Sequence, residues 1–115
     1  MASSGIYDQH LSQNAANYIP LTPISFLERT ADIYPNRTSV VYGKRRYTWA
    51  ATQSRALALA SALRRRNIGP GDTVAILSAN IPEMFEAHFG VPMSGAVLNA
   101  INVRLDADTI RFILG

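Results

Sequence analysis

The residues able to do chemistry in this chain are few. Its 115 residues include no cysteine, which excludes disulfide scaffolds, thiolate metal sites and cysteine nucleophiles. Two histidines, His10 and His88, are too few for a histidine metal cluster without heavy carboxylate help. His88 falls on the bulky face of a helical pattern with no partner triad, so it reads as a packed histidine rather than a general base. The cations are more suggestive. None precedes Arg29, and residues 29–66 hold nine of the eleven Lys and Arg with Asp32 as the only acid, a net +8. The tightest clusters are Lys44-Arg45-Arg46 and Arg64-Arg65-Arg66. Such a face could hold the phosphates of a nucleic acid or a nucleotide. The plainer reading is a hairpin rim and a basic helix C-terminus, where cations complement the macrodipole. No aromatic interleaving accompanies the clusters, which favours the plainer reading.

The elements that must position these side chains follow from spacing and caps. Residues 1–20, rich in Ser, Asn and Gln, read as a flexible arm. Thr22 and Pro23 open a short helix, with Ile24, Leu27, Ala31 and Tyr34 at core-facing spacing. Ser39 to Trp49 reads as a β-hairpin whose Gly43-Lys44 turn has glycine where a type II′ turn needs it. Thr48 caps a helix running to about Arg66, with Ala56, Leu59, Ala60 and Leu63 as its apolar stripe. Tyr47 and Trp49, like Phe85 and Phe89, read as hairpin or core packing. Asn67 to Asp72 stops the helix and turns the chain.

The apolar run Thr73–Ser78 has the look of a strand buried on both faces, as in parallel sheets. Asn80 caps a helix over 82–94, which Pro92 should kink or end and Gly95 close. A second strand spans 96–103, and Asp106 caps a final helix with Ile110, Ile113 and Leu114 inward. Strand, helix and strand make a βαβ unit, so the fold class is α/β rather than a bundle.

Composition narrows the function classes. Hydrophobic residues at 48% and charged residues at 17% are ordinary for a globular chain. No run approaches the roughly 20 apolar residues that span a bilayer. No basic start followed by an apolar stretch marks a secretory leader, so the sequon Asn36-Arg37-Thr38 reads as chance. Two parallel strands cannot cover themselves, so the βαβ unit expects further neighbours and the chain reads as an incomplete domain.

Several spaced blocks carry a family resemblance. They begin with Asn14-Ala15-Ala16-Asn17-Tyr18, Pro20-Leu21-Thr22-Pro23 and Ser25-Phe26-Leu27-Glu28-Arg29. Tyr42-Gly43, Arg46-Tyr47-Thr48-Trp49, Gly71-Asp72 and Asn80-Ile81-Pro82-Glu83-Met84 follow. His88-Phe89-Gly90-Val91-Pro92-Met93, Gly95-Ala96-Val97 and Asn102-Val103-Arg104-Leu105-Asp106-Ala107 complete the series. Over residues 14–107 the chain resembles the N-terminal region of AMP-forming acyl-CoA synthetases, the adenylate-forming enzymes, and within them the plant-type acyl-activating enzymes. Ala51 departs from the pattern, since relatives usually carry Gln or Glu there, which weakens the capping box.

The resemblance implies that residues 21–115 are a truncated part of the large AMP-binding domain. It also implies a two-step ligation in the full-length enzyme. A fatty or aromatic carboxylate attacks the α-phosphate of ATP, with Mg²⁺ balancing charge, and CoA then displaces AMP. The Ser/Thr/Gly-rich phosphate loop and the C-terminal Lys of that family are absent from these residues. No catalytic or metal-binding residue is therefore expected among them. The resemblance places Asn102, Val103 and Arg104 at the border of the CoA nucleotide, where a guanidinium suits phosphates. It implies small carboxylic acids, ATP and CoA as partners of the full-length enzyme, with no cofactor expected to bind tightly to these residues alone, and a cytosolic or peroxisomal location. The competing expectation is a non-catalytic α/β module that binds an anionic partner through residues 44–66. The purified chain alone should show no ATP–pyrophosphate exchange; measurable exchange above a buffer blank would refute the incomplete-enzyme reading.

Overall fold

The computed structural model describes residues 14–16 and 18–115, so most of the expected arm at 1–20 lies outside the described residues. Four helices and two small sheets follow in the order α1 (Pro23–Ile33), β1 (Thr38–Tyr42), β2 (Arg45–Thr48), α2 (Trp49–Arg64), β3 (Thr73–Leu77), α3 (Pro82–Ser94), β4 (Val97–Ile101) and α4 (Ala107–Leu114). β1 and β2 pair antiparallel; β3 and β4 pair parallel in the register Thr73↔Val97 to Leu77↔Ile101. The expected hairpin and βαβ unit are both present.

Local chemistry explains most element ends. Thr22 accepts from the Ser25 N–H while the Ser25 hydroxyl accepts from the Thr22 N–H, a reciprocal cap in which serine stands for the usual Glu or Gln. Gly43 takes φ 56°, and Lys44 is not among the positive-φ residues, as a type II′ turn requires. Thr48 closes β2 and at once caps α2 by accepting from the Ala51 N–H at 3.2 Å. Asn67 at φ 59° then turns the chain out of α2, using the left-handed tolerance of a short amide side chain.

The N-cap of α3 is Ile81, not the expected Asn80, and it makes no side-chain bond. Pro82 at the first helical position holds the residue before it extended, at φ −111° and ψ 164°, which moves the boundary one residue on. α3 runs through Pro92 to Ser94, and Gly95 ends it at φ 92°. A Cβ on Gly95 would lie 2.8 Å from Pro70 Cγ, so the left-handed cap also admits the turn that precedes β3.

The core lies between α2 and α3 and spreads onto one face of β3–β4. Leu63, Ala87, Val91 and Ala96 are buried, with Leu59, Ile68, Val74, Ile76 and Leu98 packed on them. Burying a side chain such as Leu27 or Val91 contributes roughly 1.5–3 kcal/mol. α2 and α3 meet through small residues: a Cβ on Gly90 would lie 2.8 Å from the Ala56 carbonyl oxygen and 2.9 Å from Leu59 Cδ2. The helix therefore packs through Ala87, Gly90 and Val91, while Phe85 is 37% exposed and meets Phe89 edge to face at 5.3 Å.

Two further expectations fail. β3 is not buried on both faces: its exposure alternates, and Leu77 stands 54% exposed, as Val97 of its partner β4 stands 62% exposed. The helices cover only the face carrying Val74 and Ile76, so alternate residues meet solvent. α4 does not bury Ile110, Ile113 and Leu114 either, because no element packs closely enough to bury any of its residues.

Gly90→Ala should destabilise the chain although alanine favours a helix interior by about 1 kcal/mol. The added methyl meets backbone, and overpacking typically costs roughly 1–3 kcal/mol. Denaturant titration checks this; an unchanged or higher midpoint would mean that the two helices can part at no cost.

Candidate functional site

The parallel strands end side by side, β3 at Leu77 and β4 at Ile101, and the chain beyond each lines one groove of about 620 Å³. Ser78, Ala79 and Asn80 form one wall, the end of β4 with Asn102, Val103 and Arg104 another, and Met84 and His88 of α3 the rest. Open α/β sheets receive ligands in the crevice outside the carboxyl ends of their strands. The three residues expected to border a nucleotide are thus together in such a crevice. Asn102 is spent on the loop itself: its Oδ1 accepts from the Arg104 N–H at 2.9 Å, which fixes the turn that presents Arg104. Arg104 is exposed, and its guanidinium has no ion pair among the described residues. No carboxylate lines the groove.

A second cavity of about 470 Å³ opens between β1 and the start of α3, lined by Val40, Val41, Tyr42, Ile81, Pro82 and Phe85. Asn80 and His88 line both spaces. Sequence reasoning took Asn80 for a cap and His88 for a packed residue. His88 is instead exposed on α3, with Nδ1 bonded to the Met84 carbonyl at 2.8 Å. The missed signal was position: Ser78 and Asn80 directly follow a strand in a βαβ unit, where α/β ligands gather.

The basic 44–66 stretch resolves into separate roles. Arg45 of β2 pairs with Glu83 of α3, and Arg55 of α2 pairs with Glu86 and reaches Glu83 at 3.5 Å. Both guanidinium groups lie over the Tyr47 ring, and Arg45 donates to its hydroxyl oxygen at 2.7 Å. Tyr47 therefore packs as expected, at the centre of an ion network that joins hairpin, α2 and α3. Arg66 donates to the Ala62 carbonyl at 3.1 Å, the helix-end role expected of it. Glu86, only 5% exposed, is the buried charge that needs its partner.

Hydrogen bonding shifts the network's protonation equilibria. The bond to Glu83, then that to Tyr47, pushes Arg45 up, and the bond to Glu86 raises Arg55. Glu83 is held below its ordinary value chiefly by the bond from Arg45. Asp106, the cap of α4, is lowered by the Thr109 N–H and then by the Thr109 hydroxyl.

A βαβ unit with a crevice beyond its strand ends, edged by the exposed Arg104, defines an α/β subdomain. The chain belongs to the AMP-binding enzyme family, whose profile matches residues 27–115. It is 60% identical over 99 residues to the peroxisomal acetate/butyrate–CoA ligase of Arabidopsis thaliana, covering 86% of this chain and 17% of that protein. It is similar to a structure from Rhodopseudomonas palustris assigned as a long-chain-fatty-acid CoA ligase. That likeness has a TM-score of 0.78 and 41% identity over 83% of this chain and 24% of the other. It shares the fold of the N-terminal subdomain of Klebsiella oxytoca NpsA, with a TM-score of 0.75 at 23% identity over 80% of this chain and 24% of that one. The α/β fold class expected from the sequence is therefore correct. The chain spans 17–20% of the length of the curated relatives it matches.

Because the folded-state values of Glu83 and Asp106 are lowered, their contribution to stability is present above the unfolded carboxylate range, about pH 4. It is lost as pH falls through the lower folded values. Thermal melts should therefore hold level near neutrality and drop below about pH 4. Glu83→Gln should melt lower at pH 7 and lose part of that acid dependence. An acid slope identical to that of the unaltered chain would remove Glu83 from the account.

Proposed function

We propose that these residues are part of an ATP-dependent, AMP-forming carboxylate–CoA ligase, and that residues 21–115 form part of the N-terminal subdomain of its AMP-binding domain. The observation that carries this reading is the family match over residues 27–115, together with 60% identity to an acetate/butyrate–CoA ligase. The groove suits one part of that task. Arg104 and the Asn102 loop border the CoA nucleotide, with the guanidinium on phosphate and Val103 beside it. CoA, when bound, supplies the thiol that displaces AMP.

The residues present do not suit the adenylation half. Gly69-Pro70-Gly71 forms the turn into β3, tied by the Asp72 carboxylate accepting from the Gly69 N–H at 2.9 Å, and does not cradle a phosphate. Among the described residues no three His, Asp or Glu side chains converge to hold a metal. In this reading ATP and Mg²⁺ are held by other parts of the enzyme, and the 115 residues alone are inactive. The acid is a small carboxylic acid whose chain length these residues do not select. The peroxisome is the favoured location, with the cytosol as the alternative, on the strength of the peroxisomal Arabidopsis relative. No described helix is long and apolar enough to cross a membrane.

The anionic-partner module is the weaker reading. Arg45 and Arg55 are engaged with Glu83 and Glu86 rather than offered to a ligand, and Arg66 closes its own helix.

The test is a chimaera in which residues 14–115 replace the matching segment of the Arabidopsis acetate/butyrate–CoA ligase. It should form AMP and acyl-CoA from acid, ATP and CoA. Arg104→Ala in it should raise the KM for CoA about fivefold to tenfold with little change in kcat, as loss of one exposed charge-assisted bond predicts. A folded chimaera with no CoA-dependent AMP release would overturn the ligase reading, and an unchanged KM would overturn the role of Arg104.

A further inference from the structure

The bond between His88 Nδ1 and the Met84 carbonyl has a consequence for the other ring nitrogen. A carbonyl oxygen only accepts, so Nδ1 carries the proton, and Nε2 of the neutral ring is left as an acceptor. Nε2 has no hydrogen-bond partner among the described residues. The ring lines both the cationic groove that ends at Arg104 and the apolar cavity walled by Val41, Tyr42 and Phe85. A free acceptor beside apolar walls repels a carboxylate or phosphate and favours a neutral N–H donor.

We infer that His88 is a specificity-determining residue of this cleft, accepting through Nε2 a hydrogen bond from an amide N–H of the ligand while Arg104 holds the ligand's phosphate. This rests on the ligase reading only in taking CoA as the ligand, whose pantetheine arm carries amides and methylenes beyond its phosphates. The groove-to-cavity sequence matches that order: charge at Arg104, an N–H at His88, then apolar surface. A site that hydrogen-bonds an N–H discriminates against an analogue lacking it, because the ligand covers the acceptor and leaves it unpaired.

Binding to the chimaera that carries residues 14–115 decides the matter, with CoA, an ester-for-amide CoA analogue and adenosine 3′,5′-bisphosphate as probes in titration calorimetry. CoA should bind about tenfold tighter than the ester analogue. His88→Phe should abolish that preference and leave adenosine 3′,5′-bisphosphate binding unchanged. The ¹⁵N resonance of His88 Nε2 should move on adding CoA and stay still on adding the bisphosphate. Equal binding of CoA and its ester analogue would overturn the inference. So would no CoA binding, or a His88→Phe effect equal for all three probes, which would mark a structural role. The chimaera reports on the ligase reading independently: an active chimaera without amide preference sinks only the role of His88, and an inactive one with amide preference sinks only the ligase assignment.

Discussion

The architecture depends on how closely α2 and α3 approach. Gly90 and Ala56 let backbone meet side chain where larger residues would hold the axes apart, since a single methyl on Gly90 would fall 2.8 Å from a carbonyl oxygen. That approach places Ala87 and Val91 of α3 over Val74, Ile76 and Leu98 and so anchors the parallel strands. The strands in turn end together, which creates the groove. A site on loops is thereby held by a contact between helices centred on Gly90, which does not line the groove.

Charge supplies the second constraint. Arg55 neutralises the buried Glu86, and Arg45 holds Glu83 at the first turn of α3, where a carboxylate also suits the positive end of the helix dipole. The network lies on the hairpin side of α3, and the groove on the side of the strand ends. Cations abundant in the sequence are thus divided between braces such as Arg45 and Arg55 and guanidinium groups left unpaired, Arg104 among them. Net charge alone does not make that division.

Features set by near neighbours in the chain were legible in advance. The Thr22–Pro23 start, the Gly43 turn, the Thr48 cap and the βαβ order all follow from local backbone chemistry, and the structure has each of them. Expectations resting on what lies across space fared worse. Burial of β3 on both faces and of α4 on one required covering elements that the apolar pattern implies but cannot supply. Asn80 had the right residue type for a cap, yet the proline two positions on displaced the boundary. His88 shows the same limit: its bulky neighbours suggested packing, but small residues make the helix contact and leave the imidazole facing the cleft. Arg104 was singled out through family likeness alone, because one arginine after a strand carries no distinctive pattern.

One junction has a mechanical meaning. Thr48 is both the last residue of β2 and the cap of α2, so hairpin and helix meet with no linker between them. α2 is bound to α3 by close packing, and α3 is bound back to the hairpin through Arg45 and Glu83. Three bodies joined pairwise in this way form a triangulated truss, in which no member can pivot without stretching another. The hairpin is therefore no independent flap: a load on its tip is carried along α2 and α3 to the walls of the groove.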